Sequence, residues 1–152
     1  MSVWSRQAVR ILLLDPSSRV LLFEGRDLSD ANDIVRFWFT VGGGVANGES
    51  LIVAAARELK EETGFESLTL RGPFEHREFD FLNHGEPLHQ VEHFFAARVA
   101  APATLDRDGW TDLERAAMTR SRWWSADDLR ESDVTYFPKD LPDLVETASG
   151  LV

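Results

Sequence analysis

The chain has 152 residues, a length that fits one domain with a real core. It is 43% hydrophobic and 28% charged, contains no cysteine, and carries a formal net charge of -10. These values exclude disulfide and thiolate chemistry and argue against a reader of the nucleic-acid backbone, which needs clustered lysine and arginine.

No apolar run approaches a membrane span: the longest, Val9 to Leu14, is interrupted by Arg10. The start, MSVWSRQAVR, lacks a signal-type apolar stretch or a lipidation motif, so a cytoplasmic location is the expectation. Along the chain, Val9 to Leu14 and Val20 to Phe23 read as two strands of a hairpin, turned by Asp15-Pro16-Ser17-Ser18. A polar connection, Asp27 to Asp33, leads into RFWFTVGG, an aromatic and β-branched strand that runs into three glycines.

From Ser50 the period changes. Ile52, Ala55, Ala56 and Leu59 follow helical spacing and predict a buried face, with Gly64 as the terminator. Beyond it SLTLRG, FEHREFDFL and HQVEHFFAARVA read as three strands, the last two joined by the turn Asn83-His84-Gly85-Glu86. TDLERAAMTR reads as a short helix or structured loop and RWW as a short strand. SADDLRES is a helical turn capped by Ser125, and DLPDLVETAS a terminal helix. The mixture of hairpins and helices predicts an α/β fold whose mixed sheet is covered by helices on its faces.

The helix sequence RELKEETG places three glutamates within a few positions. At about 100° per residue, Glu58, Glu61 and Glu62 gather away from the predicted core stripe, with small Ala54 beside them and Arg57 at their edge. Taken alone, such a run is most often a solvated face. Its context is different: Gly43, Glu49, Arg57, Glu58, Leu59, Glu61, Glu62, Gly64 and Phe65 form the pattern Gly, five residues, Glu, seven residues, Arg-Glu-aliphatic-any-Glu-Glu-any-Gly-hydrophobic. This resembles the Nudix box of the Nudix hydrolases, complete from Gly43 to Phe65.

The resemblance implies a single Nudix domain over 1–152, an α/β/α sandwich with a mixed central sheet, and Mg²⁺- or Mn²⁺-dependent cleavage of a pyrophosphate bond. The substrate would be a nucleoside diphosphate linked to another moiety: a nucleotide sugar, ADP-ribose, a dinucleoside polyphosphate or a (d)NTP. Glu58, Glu61, Glu62 and the carbonyl of Gly43 would hold the metal, since hard oxygen ligands suit these ions, and the ions would neutralise a pyrophosphate that an acidic protein otherwise repels. Arg57 and Glu49 would pair and fix the carboxylate face. Family members differ in where the general base lies, so Glu58 inside the box and Glu114 or Glu92 outside it are all candidates, Glu114 preferred. Thr40-Val41-Gly42-Gly43 stands where many members read Leu-Pro-Gly-Gly, and Ala46-Asn47 replaces a frequent Glu-Pro. The accessory proline and tyrosine that mark ADP-ribose and dinucleoside polyphosphate enzymes are absent near Phe79, Asp80 and Phe81.

Trp38, just before the glycines, is the expected base-stacking residue, whereas Phe37, Phe79, Phe81, Phe94, Trp110, Trp123 and Trp124 are expected in the core. His76, His84, His89 and His93 raise a zinc site as an alternative, which the lack of an HExxH helix or a cysteine partner disfavours. The partner expected is a small nucleotide, with no nucleic-acid polymer and no membrane; a homodimer stays open. The rival readings are a nucleotide-binding sensor module on the same fold without turnover, and a plain acidic scaffold.

Overall fold

A computed structural model describes residues 4–83, 85–101, 105 and 109–152. In chain order the elements are β1 (Trp4–Leu14), β2 (Val20–Arg26), β3 (Arg36–Gly44), α1 (Leu51–Thr63), β4 (Arg71–Asn83), β5 (Glu86–Arg98), α2 (Asp112–Ala117), β6 (Met118–Trp124), α3 (Ala126–Glu131) and α4 (Leu141–Leu151). They build a six-stranded sheet of order β4-β5-β1-β3-β2-β6, in which β1 and β5 run parallel and the other neighbouring strands antiparallel.

β1 is central and covered on both faces, which is why it reads as a nearly unbroken apolar run. Val9, Ile11 and Leu13 pack toward α1 with Val41, Ala55, Leu59 and Phe95. Leu12 and Leu14 face the opposite side, where Leu129 of α3 and Leu141, Leu144, Val145 and Ala148 of α4 close a second cluster. The result is the expected α/β/α sandwich with a mixed sheet. No helix among the described residues is long and apolar enough to cross a membrane.

The expected β1–β2 hairpin forms only at its turn. Asp15 Oδ1 accepts the N–H groups of Ser17 and Arg19 at 2.9 and 2.8 Å, and Leu14 pairs with Val20. Beyond that pair β3 inserts between the two strands, hydrogen-bonding to β1 through its glycine end and to β2 through Arg36–Thr40. SLTLRG is not a strand. Leu68 and Leu70 fill the α1-side cluster from an irregular segment, and β4 starts only at Arg71. Its two leucines satisfy the pattern of a strand while serving as side-chain anchors. The tip of the β4–β5 hairpin matches the expected turn, although His84 lies outside the described residues.

α1 begins where Ser50 accepts the N–H of Val53 and ends where the Gly64 N–H closes on the Lys60 carbonyl. Its buried face differs from the expected one. Ile52 is 44% exposed and Ala56 is also exposed, whereas Ala54, Ala55, Glu58, Leu59, Glu62 and Thr63 are buried. The helix is rotated so that the row Ala54–Glu58–Glu62 turns inward against the glycine end of β3. Two carboxylates of the box are therefore part of the buried face.

Candidate active site

The glycine end of β3, α1 and the segment before β6 enclose a cleft of about 480 Å³, lined by Arg6, Arg10, Phe39, Gly42 to Gly44, Glu58, Glu61, Glu62, Thr111, Leu113 and Glu114. Glu62 is 3% exposed and its Oε2 accepts the Gly42 N–H at 3.1 Å. Burial raises its pKa to about 8 against the help of that N–H, and the negative charges of Glu58 and Glu114 push the same way. Glu58 is raised as well, again chiefly by burial, with Arg57 opposing. Its carboxylate lies so close to Gly43 that a side-chain carbon at position 43 would meet Oε1 at 2.6 Å and push the Glu58 carboxylate aside.

Arg57 organises this face. Its Nε and Nη2 donate to both oxygens of Glu49 at 2.8 and 2.9 Å, a fork-to-fork pair. Nη2 also donates to the Gly44 carbonyl at 2.9 Å, and Nη1 to Glu58 and Glu61 at 3.0 and 3.2 Å. One guanidinium thus ties the loop, the strand end and two of the box carboxylates together. Glu49, held by Arg57 and by the Ala46 N–H, has its pKa lowered to about 2 and stays ionised. The expected Arg57–Glu49 pair is present.

A second clamp was not foreseen. Trp110, 6% exposed and edge-on to Phe23 with ring centroids 5.4 Å apart, donates its indole N–H to the Glu62 carbonyl at 2.7 Å. Gly109 lies against the Glu61 backbone, where a side-chain carbon would meet the carbonyl oxygen at 2.6 Å. Together they pin the start of α2 to the end of α1. Thr111 and Glu114 then form a capping box, the Thr111 hydroxyl accepting the Glu114 N–H and the Glu114 carboxylate accepting the Thr111 N–H. The cap leaves Glu114 at the cleft, near enough to Glu58 and Glu62 to raise both.

Glu92 is placed elsewhere. It is 9% exposed, paired to Arg10 at 2.7 Å, and lines a neighbouring cavity of about 750 Å³. Arg10 and Phe39 line both that cavity and the cleft, and the cavity walls include Phe37, Phe79 and Phe137. Arg10, read in the sequence only as a break in an apolar strand, is thus the cation between the two spaces.

Trp38 is a correction. Side chains alternate along β3, so Phe37 and Phe39 reach the cavity while Trp38 points to the other side, 3% exposed, edge-on to Trp124 at 5.1 Å and under the Arg120 guanidinium. Its ring is closed to a base. Phe79 departs from the core expectation in turn, being 42% exposed. Trp38→Ala is therefore expected to cost about 3–5 kcal/mol of stability in denaturant unfolding. A fully stable variant with only a raised KM would restore the stacking role.

His93 accepts or donates a hydrogen bond with Gln7 at 2.7 Å, and His89 lies between Asp80 and Glu78, far along the hairpin from the box. Among the described residues, no three His, Asp or Glu side chains are grouped closely enough to hold an ion as they stand. The box carboxylates surround the cleft without converging on one point. Their chemistry nonetheless fits a hard divalent cation: Glu62 is a buried acid with one backbone N–H as its hydrogen-bond partner among the described residues, and Glu58 is near enough to raise its pKa further.

The fold is similar to those of known proteins. The fold matches the E. coli dihydroneopterin triphosphate pyrophosphohydrolase with a TM-score of 0.67 at 21% identity, covering 96% of this chain and 97% of that one. It matches the MutT protein from Methanosarcina mazei Go1 with 0.63 at 19% identity, covering 99% and 97%. A C. elegans Ap4A hydrolase complex gives 0.58 at 18% identity, covering 96% of each chain. A comparison with curated proteins found no match. The model of the NUDIX domain matches residues 4–144, nearly the whole chain, and with the box complete and folded as a buried carboxylate face, the chain belongs to the Nudix hydrolase family.

Proposed function

We propose that the protein is a Mg²⁺- or Mn²⁺-dependent pyrophosphohydrolase acting on a nucleoside diphosphate linked to another moiety. The observation that carries this reading is the pair of buried acids, Glu58 and Glu62, set against Gly42 and Gly43 in a cleft that shares Arg10 and Phe39 with an adjacent aromatic cavity. Buried acids that repel one another are costly unless a cation joins them. In a protein of net charge -10, that cation is also what makes a pyrophosphate welcome.

Glu58, Glu61, Glu62 and the Gly43 carbonyl would hold the ion, which when bound supplies charge neutralisation and activation of water. Arg57 keeps the acids on one face. Arg10 stands where it can meet a phosphate oxygen as the organic moiety enters the aromatic cavity. Glu114 is the favoured general base, with Glu58 the alternative: it lies at the cleft on a segment clamped by Trp110, within reach of the acids but outside the box.

Glu114→Gln is a clean variant because glutamine at this helix position preserves the capping box. It is expected to lower kcat by about tenfold or more with little change in Mg²⁺ affinity. Wild-type turnover across the pH profile would move the base role to Glu58. The proposed activity itself is tested by incubating purified protein and Mg²⁺ with nucleotide sugars, ADP-ribose, dinucleoside polyphosphates and (d)NTPs. Release of a nucleoside monophosphate or pyrophosphate from at least one of these series is expected. Tight binding with no cleavage in any series would make the protein a sensor instead.

A further inference from the structure

The floor of the aromatic cavity has its polar groups fixed in advance. Gln90 and Glu92, 4% and 9% exposed, stand two residues apart on β5 and share one face of the sheet. Arg6 Nη1 donates to Gln90 Oε1 at 3.0 Å, which turns the amide so that Nε2 donates to Glu92 Oε2, also at 3.0 Å. Arg10 Nε donates to that same oxygen at 2.7 Å. Glu92 Oε2 therefore receives two protein hydrogen bonds. Oε1 receives none among the described residues, and Glu92 lines the cavity. Gln90 Nε2 keeps one hydrogen uncommitted. A donor and an anionic acceptor thus lie side by side at the base of a space walled by phenylalanine rings.

We infer that this cavity selects a planar heterocycle with an amino-lactam edge, guanine being the simplest nucleobase of that kind. The inference rests on the adjoining cleft being the pyrophosphate site. The amino-lactam edge presents a carbonyl next to a ring N–H and an amino group. The carbonyl matches the free Gln90 hydrogen, and the two adjacent N–H donors converge on Glu92 Oε1. Adenine places a ring-nitrogen lone pair beside its amino group, and cytosine does the same, so a lone pair would face the carboxylate. Uracil and thymine offer one N–H between two carbonyls. Hypoxanthine has the lactam but lacks the amino donor. Ring stacking on Phe37, Phe39 and Phe79 is open to every base and does not discriminate. Discrimination comes from the buried acceptor, which a wrong edge leaves unpaired.

The test is calorimetric titration of the wild-type protein and of Glu92→Gln with GMP, IMP and AMP. Monophosphates contain no pyrophosphate bond, so the ranking is independent of turnover. The wild type is expected to bind GMP at least about tenfold more tightly than IMP or AMP, as the loss of a hydrogen bond to a charged group implies. In Glu92→Gln the GMP affinity should fall to the level of IMP, with melting curves recorded for both proteins. Equal affinities, a preference for AMP, or no measurable GMP binding by the wild type overturns the inference, and so does a folded Glu92→Gln that keeps the GMP preference. If the wild type ranks GMP first but cleaves nothing, the hydrolase reading fails and the specificity stands. If it cleaves pyrophosphates and binds the three alike, the specificity fails alone.

Discussion

Glu62→Gln is expected to lower Mg²⁺-dependent turnover by at least about a hundredfold while the thermal midpoint of the metal-free protein holds or rises. Glu62 is the most deeply buried of the box acids, and its pKa is raised from 4.5 to about 8 by that burial. A carboxyl that binds its proton more tightly when folded makes the folded state the richer in protons between those two values. The contribution of Glu62 to the stability of the metal-free protein is therefore fully present below about 4.5 and is lost as pH rises toward about 8. Glutamine keeps the shape and cannot ionise, so the variant should show a flatter dependence of midpoint on pH; Glu58, raised by burial, His89, raised by Asp80 and Glu78, and His93, lowered by burial, contribute to the slope that remains. Thermal melts from pH 5 to 9 in chelator, beside steady-state rates in Mg²⁺, check both halves. A variant that stays active and Mg²⁺-responsive removes Glu62 from the site.

Arg57→Ala should lose both activity and order. The side chain donates to Glu49, Gly44, Glu58 and Glu61, so its removal frees the loop at Glu49 and leaves the box acids facing one another without a cation. We expect at least about a tenfold fall in kcat/KM together with a lowered thermal midpoint. Arg57→Lys separates charge from geometry. A lysine keeps the positive charge but not the fork that grips both Glu49 oxygens, so it should recover part of the stability and little of the rate. Full activity and an unchanged midpoint in Arg57→Ala would end the orienting role.

What the sequence displayed well was local. Ser50 and Gly64 bound α1, Ser125 caps α3, and Arg57, Glu58, Glu61 and Glu62 fall on one helix with Arg57 on Glu49, because these features depend on neighbours within a few turns. What it concealed depends on sheet order. The inward turn of Glu58 and Glu62 comes from packing α1 on the glycine end of β3, and helical periodicity favours a stripe that adds Ile52 and Ala56, which in fact face outward, to Ala55 and Leu59. Trp38 and its neighbour Phe37 exchange roles because strand alternation says that they differ in face but not which face is open. Arg10 and Glu92 are far apart in the chain and meet only because β1 pairs in parallel with β5. A charged residue inside a run as apolar as AVRILLL was the available signal for Arg10. Trp110 gave no such sign, since a buried tryptophan looks the same whether it merely fills a core or also holds α1 to the segment that carries Glu114.

Hydrolysis of a pyrophosphate bond at the Glu58–Glu62 cleft can be followed by ³¹P NMR of the best substrate from the panel in ¹⁸O-labelled water. One ¹⁸O is expected in one phosphate product, only with Mg²⁺ or Mn²⁺ present, abolished by chelator and reduced at least about a hundredfold in Glu62→Gln. Label incorporation that persists in chelator, or that proceeds at the wild-type rate in Glu62→Gln, would contradict hydrolysis at this cleft.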